Sequence, residues 1–220
     1  AQLAAARQRV SAKAGQGAKY IAYFQSFTNT YGDPAHLRKL FQAAIEPEDV
    51  AILSIATRPD CLGPEISELL AELNRVKPVW VELGLQTIHP ASAAYIRRGY
   101  DLPVFDAAVK RLKAIGVRVI VHQILGLPGE LEADVQRTIE KIVELAPDSL
   151  TVHSLAIKRA SRLNQWIQEN GVSMLHNTDE TMKIAAAGAE KLGMKPYYLY
   201  RQKNMSGNFE NTGYARPGKY

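Results

Sequence analysis

"VRVIVHQILGLPGE" (residues 117–130) joins an apolar, β-branched run to a Gly-Pro-Gly turn and then to a stretch with apolar residues at helical spacing. A nearly unbroken apolar run suits a strand covered on both faces, as in a parallel sheet with helices outside it. The same succession recurs along the chain. Strands are predicted at 19–27, 50–55, 78–83, 117–125, 149–155 and 195–202, and helices near 34–45, 64–76, 90–98, 103–115, 131–145 and 178–192. Proline stands at a first-turn position in Asp33-Pro34 and Gly63-Pro64, and Gly116 and Gly193 sit where glycines end helices. A repeat of about 30 residues is that of βαβ units. Six such units fall short of a closed eightfold barrel, so the expected fold is α/β, a partial (βα)6 TIM-like barrel with a parallel sheet.

In such sheets function gathers at the carboxyl ends of the strands. The polar residues expected on that one rim are Gln25, Ser26, Thr28 and Asn29, then Thr57, Arg58 and Asp60, then Glu82 and Gln86, then His122, Gln123 and Glu130, and finally His153, Ser154 and Lys158. Several have a plain structural reading as well. Gly126, Pro128 and Gly129 make a tight turn whether or not backbone approaches a ligand, and Glu130 is placed to cap the following helix. His122 in an apolar strand is either a hydrogen-bonded core group or a ligand contact. Glu82 in a strand needs a partner or a ligand, because an unpaired buried carboxylate is costly. Cys61 has no neighbouring base in "RPDC" and reads as a semi-buried thiol.

Composition narrows the class. The chain has 220 residues, 46% of them hydrophobic and 22% charged, as in folded globular proteins. A net charge of +5 favours anionic partners. A single cysteine excludes an internal disulfide and a cysteine-rich metal site built from this chain alone. No apolar run approaches the ~20 residues that cross a bilayer, so no membrane partner and a cytoplasmic location are expected. The first residue is Ala, as expected of a chain trimmed from something longer. The expected division is a barrel core at 1–194 and an aromatic, basic C-terminal extension at 195–220, which is either a binding surface for substrate or a solvated tail.

Residues 19–130, with "YIAYFQSFTNTYG", "SIATRPDC", "VWVELGLQTIHPASAAYIRRGYD" and "VHQILGLPGE", resemble a bacterial branch of the radical S-adenosylmethionine superfamily that is distantly similar to elongator-type and tRNA-modifying members. Residues 125–220, with "PDSLTVHSLAIKRASRLN" and "PYYLYRQKNMSGNFENTGYA", resemble oxygen-independent coproporphyrinogen III oxidases, in particular the coproporphyrinogen dehydrogenase branch. The halves meet in the Gly-Leu-Pro-Gly-Glu turn, as a natural mosaic or an engineered splice would.

The resemblance implies S-adenosylmethionine and a 4Fe-4S cluster as cofactors, and oxidative decarboxylation of propionates on an anionic tetrapyrrole in heme biosynthesis. By position it assigns Gln25, Ser26, Thr28, Gln86, Arg98, His122, Gly126 and Ser154 to S-adenosylmethionine: Gln86 and Arg98 match family contacts, His122 stands for a ribose contact, and Gly126 lets backbone approach adenine. Arg201, Gln202 and Asn204 are assigned to substrate. Two departures accompany it. The cluster motif C-x3-C-x2-C is absent from these residues, since cluster ligation needs thiolates and only Cys61 is present. "YIAYFQSF" then corresponds to the family's second strand, so the chain lacks the first barrel strand and begins in the helix after the cluster loop. Two other readings stand beside this one: an RNA- or tRNA-directed member of the superfamily, and a cluster-free or designed scaffold that keeps only the fold.

Overall fold

The computed structural model describes residues 5, 9–10, 15, 17–170 and 175–219, without the side chain of Asn170. The helix expected ahead of the first strand lies mostly outside them. The chain divides into two compact units, Ala1–Leu83 with Ala107–Val119, and Gly84–Asp106 with Ile120–Tyr220.

In the first unit, β1 (Tyr20–Phe24), β2 (Val50–Thr57) and β3 (Val79–Gln86) are parallel, with Tyr23 opposite Ser54 and Ala56 opposite Glu82. Alternation decides which side chains are covered. Leu53 and Ile55 of β2, and Val79, Val81 and Leu83 of β3, are fully buried on one face. Helices α1 (Pro34–Ile45) and α2 (Pro64–Val76) carry matching stripes: Leu37, Phe41, Ala44 and Ile45 on α1, and Ile66, Leu69, Leu70 and Leu73 on α2. Phe41 meets Phe24 edge to face at 5.1 Å. Both helix starts follow the predicted chemistry. The Asp33 carboxylate accepts from the backbone N–H groups of Ala35 and His36 ahead of Pro34, and Gly63 precedes Pro64.

In the second unit, β4 (Arg118–Leu125), which begins in the first unit, pairs in parallel with β5 (Ser149–Ser154). β7 (Asn211–Ala215) is antiparallel to β5, and β6 (Lys195–Tyr200) is antiparallel to β7. Its helices are α3 (Pro90–Tyr95), the start of α4 (Leu102–Ala114), whose residues from Ala107 onward belong to the first unit, α5 (Glu132–Leu145), α6 (Arg162–Asn170) and α7 (Asp179–Lys191). Helices α5 and α7 pack closely because residue 188 is glycine; a Cβ there would stand 2.2 Å from Ile139 Cγ2.

The predicted strands and helices are all present, with ends moved by a few residues. Two elements were not anticipated. Helix α6 carries a short apolar period, Leu163, Trp166 and Ile167, that the sequence reading passed over. β7, "NTGYA", holds two small polar residues and a glycine, yet all five of its residues are buried. It is covered because it runs between β5 and β6, a pairing no local pattern announces. Residues beyond Tyr200 therefore contribute a strand of the sheet as well as a surface. Among the described residues no helix is long and apolar enough to cross a membrane.

Candidate functional site

The end of β3 is the most constrained strand exit. Alternation puts Glu82, Gly84 and Gln86 on one face of the strand. Gln86 then turns the chain in the left-handed region, at φ 64°, where a side chain with a Cβ is strained. Arg98 holds that turn. It is 8% exposed; its Nη1 donates to the carbonyls of Leu85 (2.9 Å) and Thr87 (2.6 Å), and its Nε to that of Tyr100 (3.0 Å). The guanidinium lies over the Tyr100 ring at 4.9 Å, and the Tyr100 hydroxyl donates back to the Gly84 carbonyl. Burial pulls the Arg98 pKa down from its ordinary value, against the opposing fields of Tyr100 and Asp101.

The clamp positions one side chain for no internal purpose. The Gln86 amide folds back over Gly84, where a Cβ would stand 2.4 Å from Gln86 Nε2. Its Oε1 is buried and has no hydrogen-bond partner among the described residues. An orphaned buried acceptor costs about 1–3 kcal/mol, so this oxygen fits a ligand that brings an N–H or O–H donor.

The Gly-Pro-Gly turn after β4 is built differently from the sequence reading. Glu130 does not cap α5. Its carboxylate is 4% exposed and accepts from the Thr87 hydroxyl at 2.6 Å, tying the turn to the β3 exit. Asp134 makes the cap, accepting from the Leu131 N–H at 2.9 Å, because it lies on the first turn and its side chain can reach back. At Gly126, φ 80°, the space of a Cβ is already taken by Ser206 Oγ at 2.8 Å and Asn177 Cβ at 3.1 Å. The glycine serves that packing. Ser154 is also spent inside the fold: its N–H donates to Asn211 Oδ1 at 3.0 Å, and its hydroxyl to the Glu210 carbonyl at 3.3 Å. His122 is half-buried, with its Nδ1 2.9 Å from Nε2 of His153, so one imidazole donates a hydrogen bond to the other.

Within the first unit, Gln25 and Ser26 are exposed, and Thr28 lines a cavity of ≈ 520 Å³ with Phe27, Tyr31, Arg58, Asp60 and Cys61. Arg58 grips Asp60 through two bonds of 2.9 and 2.7 Å, holding that carboxyl below its ordinary range. Burial, and then Asp60, push the Cys61 thiol up, so it is a poor thiolate. On the face of β3 that carries Glu82, the carboxylate accepts from Tyr23 OH at 2.8 Å and Ser54 Oγ at 2.7 Å, the partners its position demanded.

In the second unit's tail, Arg201 donates to the Asn208 carbonyl at 2.7 Å and reaches Glu210 at 3.4 Å. Gln202 and Asn204 are exposed. Sequence reasoning missed Tyr100, whose signal was only its spacing from Arg98, and Thr87, a hydroxyl that gains its meaning from Glu130.

Residues 4–142 match the family model described as the radical SAM superfamily. The chain belongs to that superfamily. It is 37% identical over 161 residues to the uncharacterized protein YtqA of Bacillus subtilis (strain 168), covering 73% of this chain and 50% of that one. It is 42% identical over 165 residues to the oxygen-independent coproporphyrinogen-III oxidase-like protein HemZ of the same organism, covering 74% of this chain and 32% of HemZ. Both alignments are longer than the half that resembles each relative by eye, so both likenesses run across the turn at 126–130. Coproporphyrinogen III oxidase (HemN) from Escherichia coli shares the fold, with a TM-score of 0.65 at 20% identity over 87% of this chain and 42% of that one. The chain thus spans half or less of the length of these relatives.

Radical SAM membership implies S-adenosylmethionine and a 4Fe-4S cluster. The orphaned Gln86 oxygen fits the first. The second does not fit these residues: they include one cysteine, and no group of three or more His, Cys, Asp or Glu among the described residues is arranged to hold a metal.

Proposed function

We propose that this chain is the S-adenosylmethionine-binding core of a radical SAM enzyme that acts on an anionic tetrapyrrole. The observation that carries the first part is Gln86: a strained, clamped glutamine with a buried acceptor oxygen that no described residue satisfies. Gln86 accepts from the cofactor, Arg98 positions it by fixing the turn, and the His122 imidazole, oriented by His153, offers a second polar contact in the same unit. Ser154 and Gly126 act through packing. S-adenosylmethionine, when bound, supplies the hydrogen-abstracting adenosyl group of this superfamily; the reducing centre that releases it is not built from these 220 residues.

The tetrapyrrole is supported by the 42% identity to HemZ and by the cationic tail, where Arg201, Gln202 and Asn204 would meet substrate. Calorimetric titration of the chain with S-adenosylmethionine tests the core of the proposal. Binding that weakens about tenfold in Gln86→Ala, the worth of one hydrogen bond to a buried group, supports it. No binding at millimolar cofactor leaves a scaffold that keeps only the fold. Strongly salt-dependent RNA binding, with none to a tetrapyrrole, would move the substrate to the RNA-directed class.

A further inference from the structure

Cross-strand register places His122 of β4 opposite Thr151 of β5, Thr151 opposite Gly213 of β7, and Gly213 opposite Tyr198 of β6. Residues directly opposite in a sheet share a face, so the four form one row on one side of the second unit's sheet. Gly213 has a specific use in that row. A Cβ there would stand 2.0–2.8 Å from three ring carbons of Tyr198, so the phenol ring lies against the β7 backbone and only glycine permits it.

A second device acts on the same spot. The register of β6 slips between Pro196 and Tyr198, which makes Tyr197 the extra residue of a β-bulge. A bulge sets two residues against one and re-aims a side chain. Here it gathers Tyr197 beside Tyr198, their rings edge to face at 4.9 Å and 77°. The packing leaves the pair wet, at 39% and 38% exposure, with Tyr200 at 56%. An exposed aromatic cluster on an edge strand is a liability unless something covers it.

The charges say what that is. From residue 195 to 210 the chain carries Lys195, Arg201 and Lys203 and one acid, Glu210, which lies 3.4 Å from Arg201. The cations stand at the two ends of β6, with "PYYLY" between them. Exposed rings flanked by cations suit a compact set of flat rings with carboxylates at its rim; a single-stranded nucleic acid uses the same features, and the likeness to HemZ selects the first.

We propose that the Tyr197–Tyr198 bulge, seated on Gly213, is a ring-stacking surface for an oligopyrrole with carboxylate arms. This rests on the tetrapyrrole reading above and names the residues that would carry it.

Coproporphyrin III, a stable tetracarboxylate with a strong absorption band, is the probe. The full chain is titrated by the shift of that band, and melting curves are recorded for every variant. The double variant Tyr197→Ala/Tyr198→Ala is expected to bind about tenfold more weakly, while Tyr198→Phe, which keeps the ring and the seat on Gly213, stays near wild type. Equal affinity in the alanine variant, or in the phenylalanine variant a loss as large as the alanine one, overturns the stacking surface alone. No binding by the wild-type chain overturns the tetrapyrrole reading with it, and saturable binding of a single-stranded RNA in place of the porphyrin does the same.

Discussion

Gln86→Gly should make the protein more stable and the cofactor site worse. Glycine takes a positive φ freely, which removes about 1–2 kcal/mol of left-handed strain. Deleting the amide also removes the orphaned Oε1, relieving about 1–3 kcal/mol of unmet desolvation. Against this stand roughly 0.5–1 kcal/mol of added backbone freedom in the unfolded chain, and about 1 kcal/mol of lost methylene burial over Gly84. The net is a gain of about 2 kcal/mol, or roughly 4–8 °C in melting temperature for a chain of this size. Urea denaturation followed by circular dichroism measures it, with the slope unchanged and only the midpoint moved. S-adenosylmethionine affinity should fall in the same variant. A loss of stability of about 1 kcal/mol or more would show that the side chain holds the fold together, and the case for a ligand at Oε1 would go with it.

Arg98→Met should leave the Leu85, Thr87 and Tyr100 carbonyls without their donor and cost about 3–5 kcal/mol in urea unfolding, and Arg98→Lys should recover little because one ammonium cannot span the fork; full recovery by lysine would contradict the clamp. The Glu132 carboxyl is held below its ordinary value of 4.5, first by the hydrogen bond from His176, so its contribution is complete above that value and disappears as pH falls through the lowered folded value. His176→Ala should therefore flatten the stability–pH curve on the acid side, and parallel curves for the two proteins would refute the pair. Cys61 should react slowly with iodoacetamide at neutral pH, and Asp60→Asn should speed it by removing the adjacent negative charge, so an unchanged rate would rule out that field.

The parallel α/β succession was legible because it is a local property. Apolar runs such as 117–125, prolines after Asp33 and Gly63, and glycines at helix ends act on their own neighbourhoods. Gln86 and Arg98 were legible only through family resemblance. Their spacing does not say that one is strained and orphaned or that the other is buried on three carbonyls. Glu130 shows the limit most plainly. Its place before a helix reads as a cap, yet a hydroxyl 43 residues earlier competes for the carboxylate and wins, and Asp134 takes the helix end.

By itself, then, the amino-acid order determined the parallel α/β succession, which follows from periodicity and helix-end residues, and, through its resemblance to known sequences, the superfamily. Tertiary structure decided that "NTGYA" is a buried strand, that Gly213 seats a tyrosine ring, and that the Gln86 oxygen has no partner. The physical reason is that pairing, burial and hydrogen-bond satisfaction are settled between residues distant in the chain, where no local pattern records the competition.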